Sequence, residues 1–406
     1  TGKGFIDSLK ILVKKKNLKL KSIKSGSKVY DWVVPKVWKV KEAYIKYDNK
    51  KIIDYKNNNL HIISYSSKIK KKLFFKELKN NLHFSNKYFD AIPYLTSYYK
   101  KNWGFCLSQK EYLKISKFKK KFEIFIDSKF SSGKLNWGEV DIKGNYKKTI
   151  FFSSYLCHPS MANNELSGPI VLSLLINFLS KRKNKYSYKF LFLPETIGSI
   201  SYLKKNFIKI KNKILCGFVV TCVGDKGKFS YVSSRYGDSL ADKVLNKTLN
   251  NKKISYKKYS YLNRGSDERQ FNSPLINLPF VTITRSKFET YKEYHTSKDN
   301  LNFVDAKNIK ESFNLIKQLI LNIEKKIYPK CKFPCEPMLS KRNLYPYTRG
   351  IAKKKDLDLP TNILNFLSYS DGRNDLESIS KYIRISLKKT KKIYLFVKKN
   401  GLIEDM

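Results

Sequence analysis

The chain has 406 residues, 41% of them hydrophobic, which is enough for a large core and points to two to four domains. A formal charge of +50, from 83 Lys and Arg against 33 Asp and Glu, raises a nucleic-acid surface as the first idea. No apolar run approaches the roughly 20 residues of a membrane helix, no secretory signal is present, and the six cysteines make no disulfide framework; membrane-spanning and disulfide-stapled classes are set aside, and the cytoplasm is the default expectation.

Thr1 rather than Met opens the sequence, so a preceding piece is expected. Gly4–Lys16 reads as a helix, followed by a connection into Trp32-Val33-Val34-Pro35. From 41 to about 120 helical periodicity is missing. Ala43–Tyr47, Lys51–Tyr55, Leu60–Tyr65 and Leu73–Phe75 are short strand-like runs there, and a small β-rich domain is expected. Phe122–Asp127 begins a different pattern, and from about 121 to 327 strands alternate with helices. Strands are predicted at Thr149–Leu156, Tyr188–Leu193, Leu215–Val223 and Phe280–Thr284. Helices are predicted at Ser167–Lys181, Ile197–Lys209, Asp238–Asn250 and Ala306–Lys326. Ser167–Lys181 is apolar nearly all round and should be buried, and Asp238 or Ser239 should cap the third of these helices. The alternation predicts an α/β fold with a mostly parallel sheet flanked by helices, and a site built by the loops after the carboxyl ends of its strands.

Residues 328–355, with several prolines and a basic run, read as a linker. Beyond it, Leu359–Leu367, Leu376–Ile385 and Leu387–Lys399 read as three short helices, the last closed by Gly401 and followed by the apolar Leu402-Ile403. That arrangement predicts a winged helix-turn-helix.

The polar clusters fall where a site is expected: His158–Glu165, Pro194-Glu195-Thr196, Thr221–Asp225, Gly265–Gln270 and Glu293–Asp299. Two of only four histidines, His158 and His295, follow strand-like runs in turn-forming sequence, as metal ligands or catalytic groups do at a sheet edge. Lysine is spread along nearly the whole chain and only nine basic residues are Arg. The charge therefore reads as compositional bias, since a phosphate-binding surface would favour the bidentate arginine fork. Arg235, Arg264, Arg269 and Arg285 fall in the region of the polar motifs, where they either bind a carboxylate or phosphate or form structural ion pairs. Cys157, Cys216 and Cys222 read as small buried residues, and Cys331 with Cys335 is too little for a zinc knuckle.

The segments Val29-Tyr30-Asp31-Trp32, Tyr98–Cys106, Tyr155–Gly168, Pro194–Ser199, Thr221–Asp225, Arg264–Phe271 and Tyr294–Asn300 carry a resemblance. The chain resembles the zinc-dependent aminopeptidase fold, the group of bacterial leucyl aminopeptidases and glutaminyl cyclases. More closely, it resembles a bacterial family of aminopeptidase-like domain proteins with an N-terminal β-rich insert and a C-terminal winged helix. The resemblance implies an aminopeptidase-like domain from 1–40 and 121–330, an insert at 41–120, a linker at 331–355 and a winged helix at 356–406.

It also implies roles. His158 and His295 match the metal-binding histidines, and Glu195 matches the general base. Asn164 stands where the peptidases have an Asp bridging two zinc ions, with Glu165 one residue out of register. Thr196 stands at a ligand Glu position and Thr221 or Cys222 at a ligand Asp position. An amide is a poor bridge between cations, so two close zinc ions are not expected. One zinc ion held by His158, His295 and a carboxylate from Glu165, Glu195 or Asp267 is the expectation, beside the alternative of a peptidase cleft that lost its metal.

The function implied is metal-dependent hydrolysis of an amide or peptide-like bond in a small-molecule or peptide-like substrate. Glu195 would be the base, Arg264, Arg269 or Arg285 would hold a substrate carboxylate, and Asn164 would line the substrate site. Bacterial surface-polysaccharide synthesis is the implied setting. The alternatives are a non-catalytic ligand-binding or scaffold protein and, least favoured, a DNA regulator using Leu387–Lys399, whose lysines lack the Arg, Asn or Gln that base readout usually needs.

Overall fold

Strand alternation builds two packed layers on one sheet. In Thr149–Tyr155, Ile150 and Phe152 enter the core on one face, while Phe151 enters the core on the other. The same split recurs in the flanking strands: Phe190 and Phe192 against Leu191 and Leu193, and Phe218 and Val220 against Val219. Phe152 stacks on Phe190 and on Phe218, with ring centroids 5.4 Å apart in both pairs, so one aromatic ladder crosses three strands. Such a pair adds about 0.5–1.5 kcal/mol to the area it buries. These are apolar runs buried on both faces, as parallel strands require.

In the computed structural model these features place a mixed eight-stranded sheet at the centre of the chain. The structure describes residues 2–13, 17–146, 148–345 and 354–405. Lys14–Lys16 of the expected first helix and 346–353 of the expected linker lie outside the described residues. The strand order is Lys19–Lys24, Lys134–Ile142, Ser187–Leu193, Thr149–Tyr155, Ile214–Val220, Phe280–Thr284, Phe229–Val232 and Tyr256–Tyr259. The four middle strands run parallel, and an antiparallel strand joins them on each side. Helix Ser167–Ser180 packs on one face with Leu240–Asn251 and Ala306–Glu324, and Ile197–Ile210 packs on the other. Ser239 is the cap of Leu240–Asn251, its hydroxyl accepting from Asp242 N–H. Gly168 is required where the first turn of Ser167–Ser180 meets the sheet: a Cβ there would lie 2.2 Å from the Val220 carbonyl oxygen.

The β-rich layer is a four-stranded antiparallel sheet in the order Lys50–Asp54, Val37–Tyr47, Phe122–Ser131, Ile69–Leu73. Phe122–Ser131 is thus a strand of this sheet, pairing on both sides. Two expected strands are corrected. Leu60–Tyr65 contains a 3₁₀ turn at Asn59–His61, because the Asn58 side chain accepts from Leu60 N–H at 2.9 Å and turns the chain. Leu73–Phe75 divides into the end of one strand at Leu73 and the start of a helix at Phe75, where Glu77 folds back onto Phe74 N–H. The stretch after this sheet returns to the main body, where Pro93 bridges Thr296 and Tyr94 N–H donates to the His295 carbonyl at 2.8 Å.

Helices Lys354–Ser368, Leu376–Tyr382 and Leu387–Lys399 form the winged helix around Ile363, Phe366, Ile379, Ile393 and Val397. Its last strand, Ile403–Asp405, pairs antiparallel with Pro329–Cys331, so residues read as the start of a linker complete the wing. An ion-pair cluster docks this unit on the main body: Lys326 and Lys247 both meet Glu377, at 2.6 and 2.5 Å, and Lys326 meets Asp375 at 3.2 Å. Among the described residues, no helix is long and apolar enough to cross a membrane.

Hydrogen bonds from Lys247 and Lys326 hold the Glu377 carboxyl down at about 2, from an ordinary value of 4.5. Because the folded value is the lower one, this stabilisation is complete above the unfolded value and is lost as pH falls toward about 2. Glu377→Gln is expected to lower the urea midpoint at neutral pH by an amount worth under about 1 kcal/mol, and the difference from wild type should shrink as the titration is repeated below about pH 4. A difference that stays constant with pH would show that the ion pairs do not hold the unit.

Candidate functional site

Thr149–Tyr155 is the strand at which the connections diverge. The chain leaves it through Ser167–Ser180 for one neighbour, Ser187–Leu193, and returns through Ile197–Ile210 to the other, Ile214–Val220. A crevice opens at such a switch point, at the carboxyl ends of the strands. Cys157 and His158 follow the first strand, Glu195 the second, and Thr221 and Cys222 the third. The backbone is strained here. Ser160, Thr196, Cys222 and His295 all have positive φ, at 57°, 64°, 50° and 54°. Non-glycine residues persist in that region only where the surroundings hold them, and they gather at functional sites.

Two imidazoles meet in the crevice. The rings of His158 and His295 lie 5.0 Å apart between centroids. Tyr94 stands edge-on to both, at 4.8 and 5.2 Å, and Tyr294 stacks on His295 at 3.9 Å. His158 Nδ1 pairs with the buried Glu165 carboxylate, whose second oxygen accepts from Cys157 N–H at 2.5 Å. His158 Nε2 faces Glu195 Oε2 at 3.9 Å. Burial is the largest single influence and disfavours the His158 cation, but Glu165 together with Cys157 and Tyr94 outweighs it and holds the pKa well above the usual value. Burial and the neighbouring His158 charge push His295 down to about 3, so this ring is neutral and able to bind a metal. Burial, then the charges of Asp267 and Glu165, push Glu195 up to about 7.

A polar network holds the loops. Asp299 accepts from the N–H groups of Ala162, Asn163 and Asn164, at 3.2, 2.6 and 3.0 Å, and burial pushes its carboxyl up to about 6. Asn163 donates to Asp225 and accepts from Gly224 N–H, both at 2.8 Å. Asn164 Nδ2 donates to the Tyr155 hydroxyl at 2.7 Å, and Thr221 Oγ1 bonds the same hydroxyl at 2.7 Å. Asp267 Oδ1 accepts from Thr196 N–H at 2.8 Å and from the Ser199 hydroxyl at 2.7 Å, fixing the turn that carries Glu195.

The structure brings His158, His295, Glu165 and Glu195 together. Asp267 sits behind the Glu195 turn, with its second oxygen buried and without a protein partner. Asn164 sits in the network beside Tyr155 and Cys222, with its Oδ1 likewise unpaired. Arg269 lines the cleft and donates to the Thr196 hydroxyl at 2.6 Å. Two expected arginines lie elsewhere. Arg264 is exposed and lies over the Tyr261 ring. Arg285 is an ion-pair residue: it bonds Glu311 at 3.1 Å and the Gly227 carbonyl at 2.9 Å, and lines a different cavity. Of the cysteines read as buried, Cys216 and Cys222 are buried, but Cys157 is exposed in the cleft because it follows the last residue of the strand. Its sulfur lies 3.3 Å from His158 Nδ1 and accepts from Glu195 N–H at 3.3 Å. Tyr94 has no sequence signal of its own, since it acts through His295, more than a hundred residues away, and the sequence places Asp299 only within the Glu293–Asp299 cluster, its role as acceptor for the 162–164 loop being a long-range contact.

The residues fit one metal ion. His295 Nε2 is buried and has no protein partner, and the ring separation lets both imidazoles face one centre. The Glu165 carboxylate on His158 Nδ1 leaves Nε2 as the outward donor, as carboxylate partners of ligand histidines do. Cys157, His158 and Glu165 also offer three donor atoms within 4.8 Å of one another. The positions that would serve a second ion hold neutral Asn164, Thr196 and Thr221, which bring no negative charge to a second cation.

Residues 1–326 match the family model described as a domain of unknown function, DUF4910, and residues 326–405 match a winged helix-turn-helix. A Clostridium acetobutylicum protein is 41% identical over 94% of this chain and 87% of its own, and its name joins polysaccharide biosynthesis to an aminopeptidase-like domain. A crystal structure from Clostridium acetobutylicum, provisionally described as a peptidase, superposes with a TM-score of 0.79 at 38% identity, covering 100% of this chain and 92% of that one. A zinc aminopeptidase from Bacillus subtilis shares the fold at 11% identity and a TM-score of 0.57, over 79% of this chain and 89% of its own.

Asp299→Ala would leave the buried N–H groups of Asn163 and Asn164 without an acceptor, while Ala162 N–H keeps the residue 299 carbonyl. It is expected to lower the unfolding free energy by about 2–4 kcal/mol in urea titration. A loss below about 0.5 kcal/mol would mean that the 162–164 loop is held by other contacts.

Proposed function

The chain belongs to the DUF4910 family of aminopeptidase-like proteins, and we propose that its cleft hydrolyses an amide or peptide-like bond with the help of a single bound metal ion. The observation that carries this reading is the pair of facing histidine rings, one with a buried unpartnered Nε2, beside a carboxylic acid poised near 7. His158 and His295 would hold the ion, with Glu165 supplying a carboxylate on the His158 side and Glu195 left free to act as the base. Bound there, a cation such as zinc would polarise the scissile carbonyl and acidify water.

The chain's own groups do the rest. Glu195 takes the proton from the attacking water and returns it to the leaving nitrogen, a task suited to a carboxyl whose pKa lies near neutrality. Asp267 positions Glu195 by fixing Thr196 and Ser199. Arg269, anchored on Thr196, offers its guanidinium to a substrate oxygen at the rim. Glu165 orients His158. The name of the Clostridium acetobutylicum relative supports a setting in polysaccharide synthesis.

A second reading has its own observation. Neutral Asn164, Thr196 and Thr221 at carboxylate ligand positions favour a cleft that binds a ligand without turning it over. Metal analysis of untagged protein separates the two. About one zinc per chain, lost in both His158→Ala and His295→Ala, is the expected result for the hydrolase. Glu195→Gln should keep the metal and lose amide turnover by at least about 100-fold. No metal after zinc is supplied would leave the binding protein.

A further inference from the structure

We infer that the cleft beside His158 binds a pyranose ring, so that the amide presented to Glu195 is carried by a sugar; the second half of this statement rests on the hydrolase reading above. The cavity measures about 540 Å³, within the roughly 300–1,000 Å³ of small-molecule sites. Cys157, His158 and Glu195 line one part of it. The wall is aromatic: Trp32, Trp38, Tyr65, Tyr94, Tyr98 and Tyr99.

Three features of this wall select the occupant. First, the apolar surface is made of rings, and Ile197 is the only branched aliphatic side chain in the lining. A pocket for a Leu- or Val-like side chain would be aliphatic. The negative faces of aromatic rings attract the weakly positive C–H bonds that cover the flat faces of a pyranose. Second, the hydroxyls of Ser64, Thr96 and Thr196 stand among the rings and suit a ligand with hydroxyls at its edge. Third, in a chain with 83 basic residues the lining holds one, Arg269. A nucleotide or other polyphosphate would call for several lysines or arginines along the wall, and this wall away from His158 offers Arg269.

The rings are held in place before any ligand arrives. Trp38 Nε1 donates to the Ser66 carbonyl at 2.9 Å, and the Tyr99 hydroxyl donates to the Val33 carbonyl at 2.8 Å. Trp38 stacks on Tyr65 at 5.8 Å, Tyr65 meets Tyr98 at 5.0 Å, and Trp32 meets Tyr99 at 5.9 Å. Trp32 and Tyr99 remain 39% and 53% exposed, an uncompensated apolar surface that a ligand would cover. Tyr94 closes the series against both histidines, so a ring bound on this path directs a substituent at the reacting groups.

Trp32 and Trp38 are two of the four tryptophans, so intrinsic fluorescence reports on the site. The full chain is titrated with N-acetylglucosamine and its short oligomers, and in parallel with phenylalanine amide. A saturable change with the sugars is expected, weakened at least about tenfold, or about 1.4 kcal/mol, in Trp32→Ala and in Tyr99→Ala, with thermal melts showing that both variants fold. Binding of phenylalanine amide alone, no saturable sugar response, or a response unchanged in both aromatic variants would overturn the inference. Those results leave metal content and amide turnover untouched, so failure here and failure of the hydrolase reading are told apart.

Discussion

Thr149–Tyr155 is buried along nearly its whole length and hydrogen-bonded on both sides to parallel neighbours. That constraint fixes the rest. A parallel strand in the middle of a sheet must be covered on both faces, so its connections leave on opposite sides. The helices that result bury the alternate faces of the same three strands, and the aromatic ladder Phe190, Phe152, Phe218 locks their register. Where the connections part, the chain cannot fill the space at the strand ends. Every reactive group of the cleft is hung from that gap.

The gap is lined by charges that burial makes unstable, and the fold manages them with fixed dipoles and partners. Glu165 is offset by His158, Asp299 by three backbone N–H groups, and Asp267 by Thr196 and Ser199. Beside these anions the chain places a neutral amide and a hydroxyl, Asn164 and Thr221, that share the Tyr155 hydroxyl. With few anions left, repulsion among them falls, and so does the capacity for a second cation.

The two added units relate to this centre differently. The β-rich layer reaches the site: its connecting segment bridges Thr296 and lays Tyr94 over both histidines, and it supplies most of the aromatic wall. The winged helix docks through the Glu377, Lys247 and Lys326 cluster, on a face lined by Tyr328 and Arg373 rather than by the cleft residues. Lysine, spread along nearly the whole chain, is missing from the lining of the aromatic cavity.

The sequence by itself determined the layer order, because apolar runs such as Thr149–Leu156 and the nearly all-apolar helix at Ser167 can be satisfied only by burial on both sides. It also singled out His158 and His295, since a scarce residue type at a strand end carries information even in a biased composition, whereas Glu195 was picked out by the resemblance. Local signals failed where a side chain's meaning depends on a distant partner. Arg269 and Arg285 look alike in sequence, yet one faces the cleft and the other is consumed by Glu311, a helix away. Cys157 reads as a core residue, and only the end of its strand exposes it beside His158. Tyr94 and the tryptophans become a binding wall only when the β-rich layer folds back on Thr296. Periodicity records what each segment must bury; which segments meet is decided by long-range pairing, and the site is made of those meetings.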